Sequence, residues 1–133
     1  MDNGIRELER HEHDPALLAF IKCHITSFTR WDALRVLAER TGQWIGANEV
    51  ARLIHKPAES TKSALDDLER ERLVRRRRSA SGPTYRLDPA DPTSRVVERL
   101  VEAARHDQEL RQVIVARVLN DERAAAGTRG AAS

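Results

Sequence analysis

Apolar residues recur along most of this chain at helical spacing, and one internal stretch breaks that rhythm for a short extended pattern. Asp14-Pro15 opens the first helix, with an acid able to cap and a proline at the first helical position. The run "ALLAFIKCHI" follows and predicts a helix that buries most of its surface. A second helix is predicted from Thr29, where Thr29 and Asp32 have capping-box spacing with Asp in place of the usual Glu. Trp31, Leu34, Leu37 and Ala38 then share one helical face, and Gly42 supplies the stop. "QWI" reads as a short extended piece. "GANEVARLIHK" predicts a short third helix with Val50, Ala51, Leu53 and Ile54 inward. Pro57 breaks the chain and opens a fourth helix, "AESTKSALDDLERE", whose core positions are Ala64, Leu65 and Leu68.

The rhythm then changes. Residues 73–78 and 84–88 read as two strands joined by "SASGP", a turn by its Ser, Gly and Pro content. "DPADPTS" is a linker, and Asp91-Pro92 repeats the helix-start chemistry of Asp14-Pro15. A long helical segment follows to about Arg123. It carries one stripe of Val96, Val97, Leu100, Val101 and Ala104 and a second of Leu110, Val113, Ile114, Val118 and Leu119. The polar gap "RHDQE" between them predicts a kink or two helices. The expected organisation is a flexible N-terminus over residues 1–13, an N-terminal helix over 14–28, a central unit over 29–88, a C-terminal helical segment over 89–123 and a disordered tail over 124–133.

Composition narrows the class. With 133 residues, 40% apolar and 33% charged, the chain can bury a core without disulfides or metal. One cysteine, Cys23, excludes an internal disulfide and fits a reducing compartment. It is expected as a small buried hydrophobe on its apolar helix. No apolar run approaches the about 18 residues of a membrane span, and "MDNGIRELERHEHD" lacks the apolar core of a secretory signal, so a cytoplasmic protein is expected. The net charge is only +2, yet residues 72–86 hold six arginines and no acid, leaving −4 on the remainder. A local basic stripe of that kind reads as an electrostatic footprint.

Little else carries chemistry. "HEH" at His11 to His13 has one-residue spacing and no second ligand cluster, so no metal is expected. His24, His55 and His106 read as surface or cap residues. No Gly-rich phosphate loop, nucleophile elbow or HExxH sequence occurs, so neither catalysis nor a cofactor is expected.

The frame "WIGANEVARLI" through "SALDDLERERLVRR" to "YRL" resembles the winged helix-turn-helix family, and the resemblance covers residues 31–87. It implies a mainly α fold with a small β-hairpin wing. Two positions depart from the family pattern: Arg72 stands where glycine often precedes "Leu-Val", and Gly46 where a Ser or Thr cap is common. The long flanking helices resemble those of MarR-type regulators, whose terminal helices make a dimer. The resemblance implies a dimeric, sequence-specific regulator of double-stranded DNA, most often a repressor; the sequence names no small-molecule effector.

In that frame the start of the fourth helix enters the major groove, placing Ser60, Thr61, Lys62 and Ser63 at bases or phosphates, while Arg75, Arg76, Arg77, Arg78 and Arg86 hold the backbone. Alternation puts Arg75 and Arg77 on one face of the hairpin and Arg76 and Arg78 on the other, and the pair sharing a face with Arg86 is the expected contact. Arginines that merely solvate an edge strand are the bland alternative. Against DNA stand Asp66, Asp67, Glu69 and Glu71, which phosphate would repel; they fit a second reading, a winged-helix module that binds an acidic protein partner. For the dimer, a core built from residues 31–87 can hardly cover both C-terminal stripes. Leu110, Val113, Ile114 and Leu119 are therefore expected to stay exposed on a monomer and to pair with Leu17, Leu18 and Ile21. The alternative is a long helix folded back over its own domain.

Overall fold

The computed structural model describes residues 14–132, with side chains described through Ala124. The expected flexible segment 1–13, and His11 to His13 with it, lies outside the described residues. Helix α1 spans Pro15–His24, and the Asp14 carboxylate caps it by accepting from the Ala16 amide at 2.8 Å. Helix α2 spans Phe28–Glu39. Its cap is Ser27, whose hydroxyl accepts from the Arg30 amide at 3.1 Å, and not Thr29. A cap must stand in extended backbone ahead of the first turn; Ser27 does, with φ −150°, whereas Thr29 already lies within that turn.

Strand β1, Ile45–Gly46, leads directly into helix α3, Ala47–Ile54, and helix α4 follows as Ala58–Arg70. Strands β2, Arg75–Ser79, and β3, Gly82–Arg86, complete an antiparallel sheet in the order β1-β3-β2. Of the extended piece expected at "QWI", Ile45 alone falls in β1, which pairs to β3 through Ile45↔Tyr85 and Gly46↔Thr84. The hairpin starts later than expected because Leu73 and Val74 are buried in the core before the ladder begins.

Helix α4 ends in a Schellman turn. The Leu73 amide donates to the Leu68 carbonyl and the Arg72 amide to the Glu69 carbonyl, each at 2.9 Å. That geometry requires a left-handed residue between helix and strand, and Arg72 adopts it with φ 64°. The arginine standing where glycine is common therefore takes glycine's conformation and bears its strain.

Helix α5, Pro92–His106, and helix α6, Gln108–Ala132, are separate. Asp107 between them is extended (φ −121°, ψ 105°), and its carboxylate accepts from the Leu110 amide at 3.2 Å. Arg111 closes the corner by donating to the carbonyls of Ala104 (2.8 Å) and Arg105 (3.2 Å). After this break α6 turns back onto α1 and α5 instead of projecting from the body, and Arg117 Nε donates to the Lys22 carbonyl at the end of α1 at 2.9 Å. The helix also continues through most of the segment expected to be a disordered tail, where alanine, the best helix former, dominates.

One contiguous core joins all six helices to the sheet. Leu34 and Leu37 of α2, Val50 of α3, Leu65 and Leu68 of α4 and Tyr85 of β3 lie at its centre, and Val97, Leu100 and Val101 extend it along α5. This corrects the expectation for the second stripe. Leu110 and Ile114 are only 1% and 2% exposed within the single chain, Leu17 and Ile21 are buried with them, and Leu18 and Val113 pack partly against the same core. The large apolar side chains left in solvent are Val115 at 42% and Leu119 at 41% exposure. Cys23 is exposed, not buried, because α1 turns Leu17, Phe20 and Ile21 inward and Cys23 off that stripe.

Replacing Arg72 with glycine is expected to raise the unfolding free energy by about 1 kcal/mol, since glycine adopts positive φ without the Cβ clash. Urea unfolding checks this: the midpoint should rise at constant slope, and a lower midpoint would show that the arginine side chain contributes more than its backbone costs.

Candidate nucleic-acid interface

Helix α4 presents two very different faces. Its apolar stripe, Ala64, Leu65 and Leu68, lies against α2 and α3, and helical spacing carries Thr61 onto the same stripe. Thr61 is 0% exposed and its hydroxyl donates to the Pro57 carbonyl at 2.9 Å, so it cannot meet a base edge, contrary to expectation. Ser60, Lys62 and Ser63 are exposed. Ser60 donates back to the Pro57 carbonyl at 3.1 Å.

Three acids at the C-terminal half of α4 and its cap, Asp66, Asp67 and Glu71, have partners inside the molecule, whereas Glu59 and Glu69 meet no cation among the described residues. Asp66 receives Lys62 Nζ at 2.6 Å and the Tyr85 hydroxyl at 2.5 Å, with Arg76 Nε at 3.7 Å. Burial works to raise its pKa, but the Lys62 and Tyr85 hydrogen bonds and the nearby cations prevail and hold it below the usual carboxylate value. Asp67 pairs with Arg70 and with Arg30 at 3.4 Å. Glu71 pairs with Arg30 at 2.7 Å and with His24 Nδ1 at 2.7 Å. His24 is thereby part of an ion network that ties α1 and α2 to the end of α4, with the Phe20 ring 4.9 Å away.

The wing register sorts its arginines. Arg75 stands opposite Arg86 and Arg77 opposite Thr84, whereas Arg76 stands opposite Tyr85 and Arg78 opposite Pro83. Directly paired residues share a face, so Arg75, Arg77 and Arg86 lie together, and Arg76 and Arg78 lie on the Tyr85 side. All four arginines of β2 are exposed on what is the edge strand of the sheet. Arg75 approaches Asp88 at 3.7 Å. Arg86 is half-buried and its Nη1 donates to the Gly42 carbonyl at 3.3 Å.

Trp44 was not among the expected site residues. Its ring lies 4.3 Å from the Arg77 guanidinium and 4.9 Å from that of Arg86, both within cation–π range. The indole also lines an open cleft of about 620 Å³ between the wing tip and the starts of α3 and α4, with Asn48, Glu49, Glu59, Lys62, Pro83 and Thr84. In the sequence Trp44 shows only as an aromatic in a short extended piece; β-pairing is what brings it beside arginines far along the chain.

Among the described residues no cluster of His, Cys, Asp and Glu could hold a metal ion, and no helix is long and apolar enough to cross a membrane. Over nearly its whole length the chain is similar to the crystal structure of a probable transcriptional regulator from Pseudomonas aeruginosa. The two are 21% identical, the match covers 98% of this chain and 96% of that one, and the TM-score is 0.52. The fold is a winged helix-turn-helix. The transcriptional regulator BldR from Sulfolobus solfataricus is also similar, at 19% identity over 96% of this chain and 88% of that one, with a TM-score of 0.49. No protein-family model and no curated protein matches the chain. In winged-helix terms, α3 and α4 are the helix-turn-helix pair, β2 and β3 the wing, and the cleft beside Trp44 lies where the two meet.

The Asp66 contacts give this winged helix an acid-sensitive joint. A carboxyl held below 3.8 in the fold stabilises it fully above that value and loses the stabilisation as pH falls through the depressed pKa. Asp66→Asn is therefore expected to lower stability at neutral pH, with the difference between wild type and variant narrowing as pH falls below 3.8. Denaturant unfolding at pH 7 and pH 2.5 checks this; a gap that is equal at both would remove the ionised carboxylate as its source.

Proposed function

We propose that this protein is a sequence-specific double-stranded-DNA-binding transcriptional regulator that works as a homodimer in the manner of MarR-type regulators, and most simply as a repressor that occludes polymerase. The observation that carries this reading is the internal compensation of three acids at the C-terminal half of α4 and its cap. Asp66, Asp67 and Glu71 are engaged by Lys62, Arg76, Arg30, Arg70 and His24, while Arg77 and Arg78 of the wing meet no acid among the described residues. Glu59 and Glu69 meet no cation among the described residues, so the repulsion that the sequence suggests toward phosphate is met in part within the molecule, and the uncompensated charge that remains on the wing is positive. Ser60, Lys62 and Ser63 would enter the major groove, with the wing arginines on the backbone.

For the dimer, the support has moved along α6. Leu110 and Ile114 serve the chain's own core, and Val115 and Leu119 are left one helical turn apart on the exposed face. Two-fold pairing there would present two recognition helices to a palindromic site.

Mobility shifts with random duplex across a salt series test the DNA reading. Substituting Arg75, Arg76, Arg77 and Arg78 by alanine is expected to weaken binding to every duplex and to flatten the log–log salt slope by about 0.9 for each phosphate no longer neutralised. Capture of an acidic protein without any duplex binding would favour the interaction-module reading instead. Selection of binding sites from random duplex by a Ser60/Lys62/Ser63 triple alanine variant should return a changed or degraded consensus, and an unchanged one would place base readout elsewhere. Sedimentation at micromolar concentration tests the dimer: Val115→Asp with Leu119→Asp should yield monomers, and a wild type already of monomer mass would remove it.

A further inference from the structure

The outward face of the sheet holds a cation–aromatic arrangement that the helix-turn-helix pair does not require. Trp44 stands one residue ahead of β1, Arg86 lies on the central strand β3, and Arg77 lies on the edge strand β2. Arg86 is the fixed member: its Nη1 donates to the Gly42 carbonyl, and its Nε is buried without a hydrogen-bond partner. Arg77 is exposed, and its guanidinium lies over the Trp44 ring at 4.3 Å. The same ring lines the cleft that Lys62 of α4 and Thr84 of the wing also line.

We propose that Trp44 is the positioning residue of the wing, holding Arg77 over its ring so that the guanidinium reaches a DNA backbone phosphate already ordered. The inference rests on the DNA-binding reading above. A free arginine loses rotamer freedom when it binds. A guanidinium held against a ring by a cation–π contact has given up part of that freedom beforehand, and its planar fork of N–H donors still matches a pair of phosphate oxygens. The other arginines of β2 lack this combination. Arg75 and Arg76 each have a carboxylate at 3.7 Å, Asp88 and Asp66, that a phosphate would have to displace or share. Arg78 carries no such acid, and no ring orders it.

The test is affinity for a random duplex, with its salt slope, for wild type, Trp44→Leu, Trp44→Phe, Arg77→Ala, Arg77→Lys and the Trp44→Leu/Arg77→Ala double variant. Trp44→Leu should weaken binding about two- to five-fold, the range of an exposed cation–π contact, and should flatten the salt slope by up to about 0.9. Trp44→Phe should recover most of that loss. In the Arg77→Ala background, Trp44→Leu should cost nothing further, because the residue it positions is gone. Arg77→Lys leaves Trp44 and the fold intact but removes the planar group, and it should bind as weakly as Trp44→Leu. An equal Trp44→Leu loss in both backgrounds, wild-type binding by Arg77→Lys, or an unchanged slope in Trp44→Leu each overturns the positioning role while leaving DNA binding standing. A wild type that binds no duplex at low salt overturns both.

Discussion

The Tyr85 hydroxyl donates to Asp66 across 2.5 Å, and the placement of both halves of the interface follows from that bond. Tyr85 is fully buried on the central strand of the sheet, with Ile45 paired on one side and Arg76 on the other. Its ring fills the space between wing and helices, and its hydroxyl finds an acceptor on α4, as a buried phenol must. Burial and the neighbouring carboxylate push its pKa above the ordinary tyrosine value, so it is a donor at neutral pH. A wing attached only by the loop between α4 and β2 would swing; one bonded at its centre to α4 keeps a defined angle to it.

The same bond begins the charge compensation that makes α4 usable. Exposed ion pairs contribute little singly, but here they share partners. Asp66 gathers Lys62, Tyr85 and Arg76, and the half-buried Arg30 links Asp67 to Glu71, which also holds His24. These groups connect α1, α2, α4 and the wing around one end of α4. Part of a surface that reads as acidic in one dimension becomes a set of internal braces in three, and the wing keeps unpaired arginines.

The C-terminal helices show how a short polar gap redirects a long hydrophobic pattern. Asp107 ends one helix and caps the next, and Arg111 secures the corner through the carbonyls that α5 leaves open. Once α6 has turned back, the apolar stripe that looked available to a partner completes the chain's own core together with α1. What remains in solvent on this helix is a narrower apolar face around Val115 and Leu119.

Helix periodicity, the proline-led starts at Pro15 and Pro92, the turn chemistry of "SASGP" and the run of arginines are local signals. They specify the helices, the hairpin and the basic wing because each depends on neighbours within a few residues. The left-handed turn at Arg72 was not a local signal, because the sequence shows there only an arginine where the family often has glycine. The remaining features depend on which distant groups meet. Thr61 faces the core and Ser60 does not because α4 packs on α2 and α3; Trp44 becomes part of the site because β1 pairs with β3. Leu110 becomes interior because α6 folds back, and Asp66 becomes a brace because Tyr85 arrives opposite it. By itself the sequence determined the elements and their charge. Only the tertiary structure decided which charges cancel and which apolar faces are already covered, because pairing energies depend on separation in space and not along the chain.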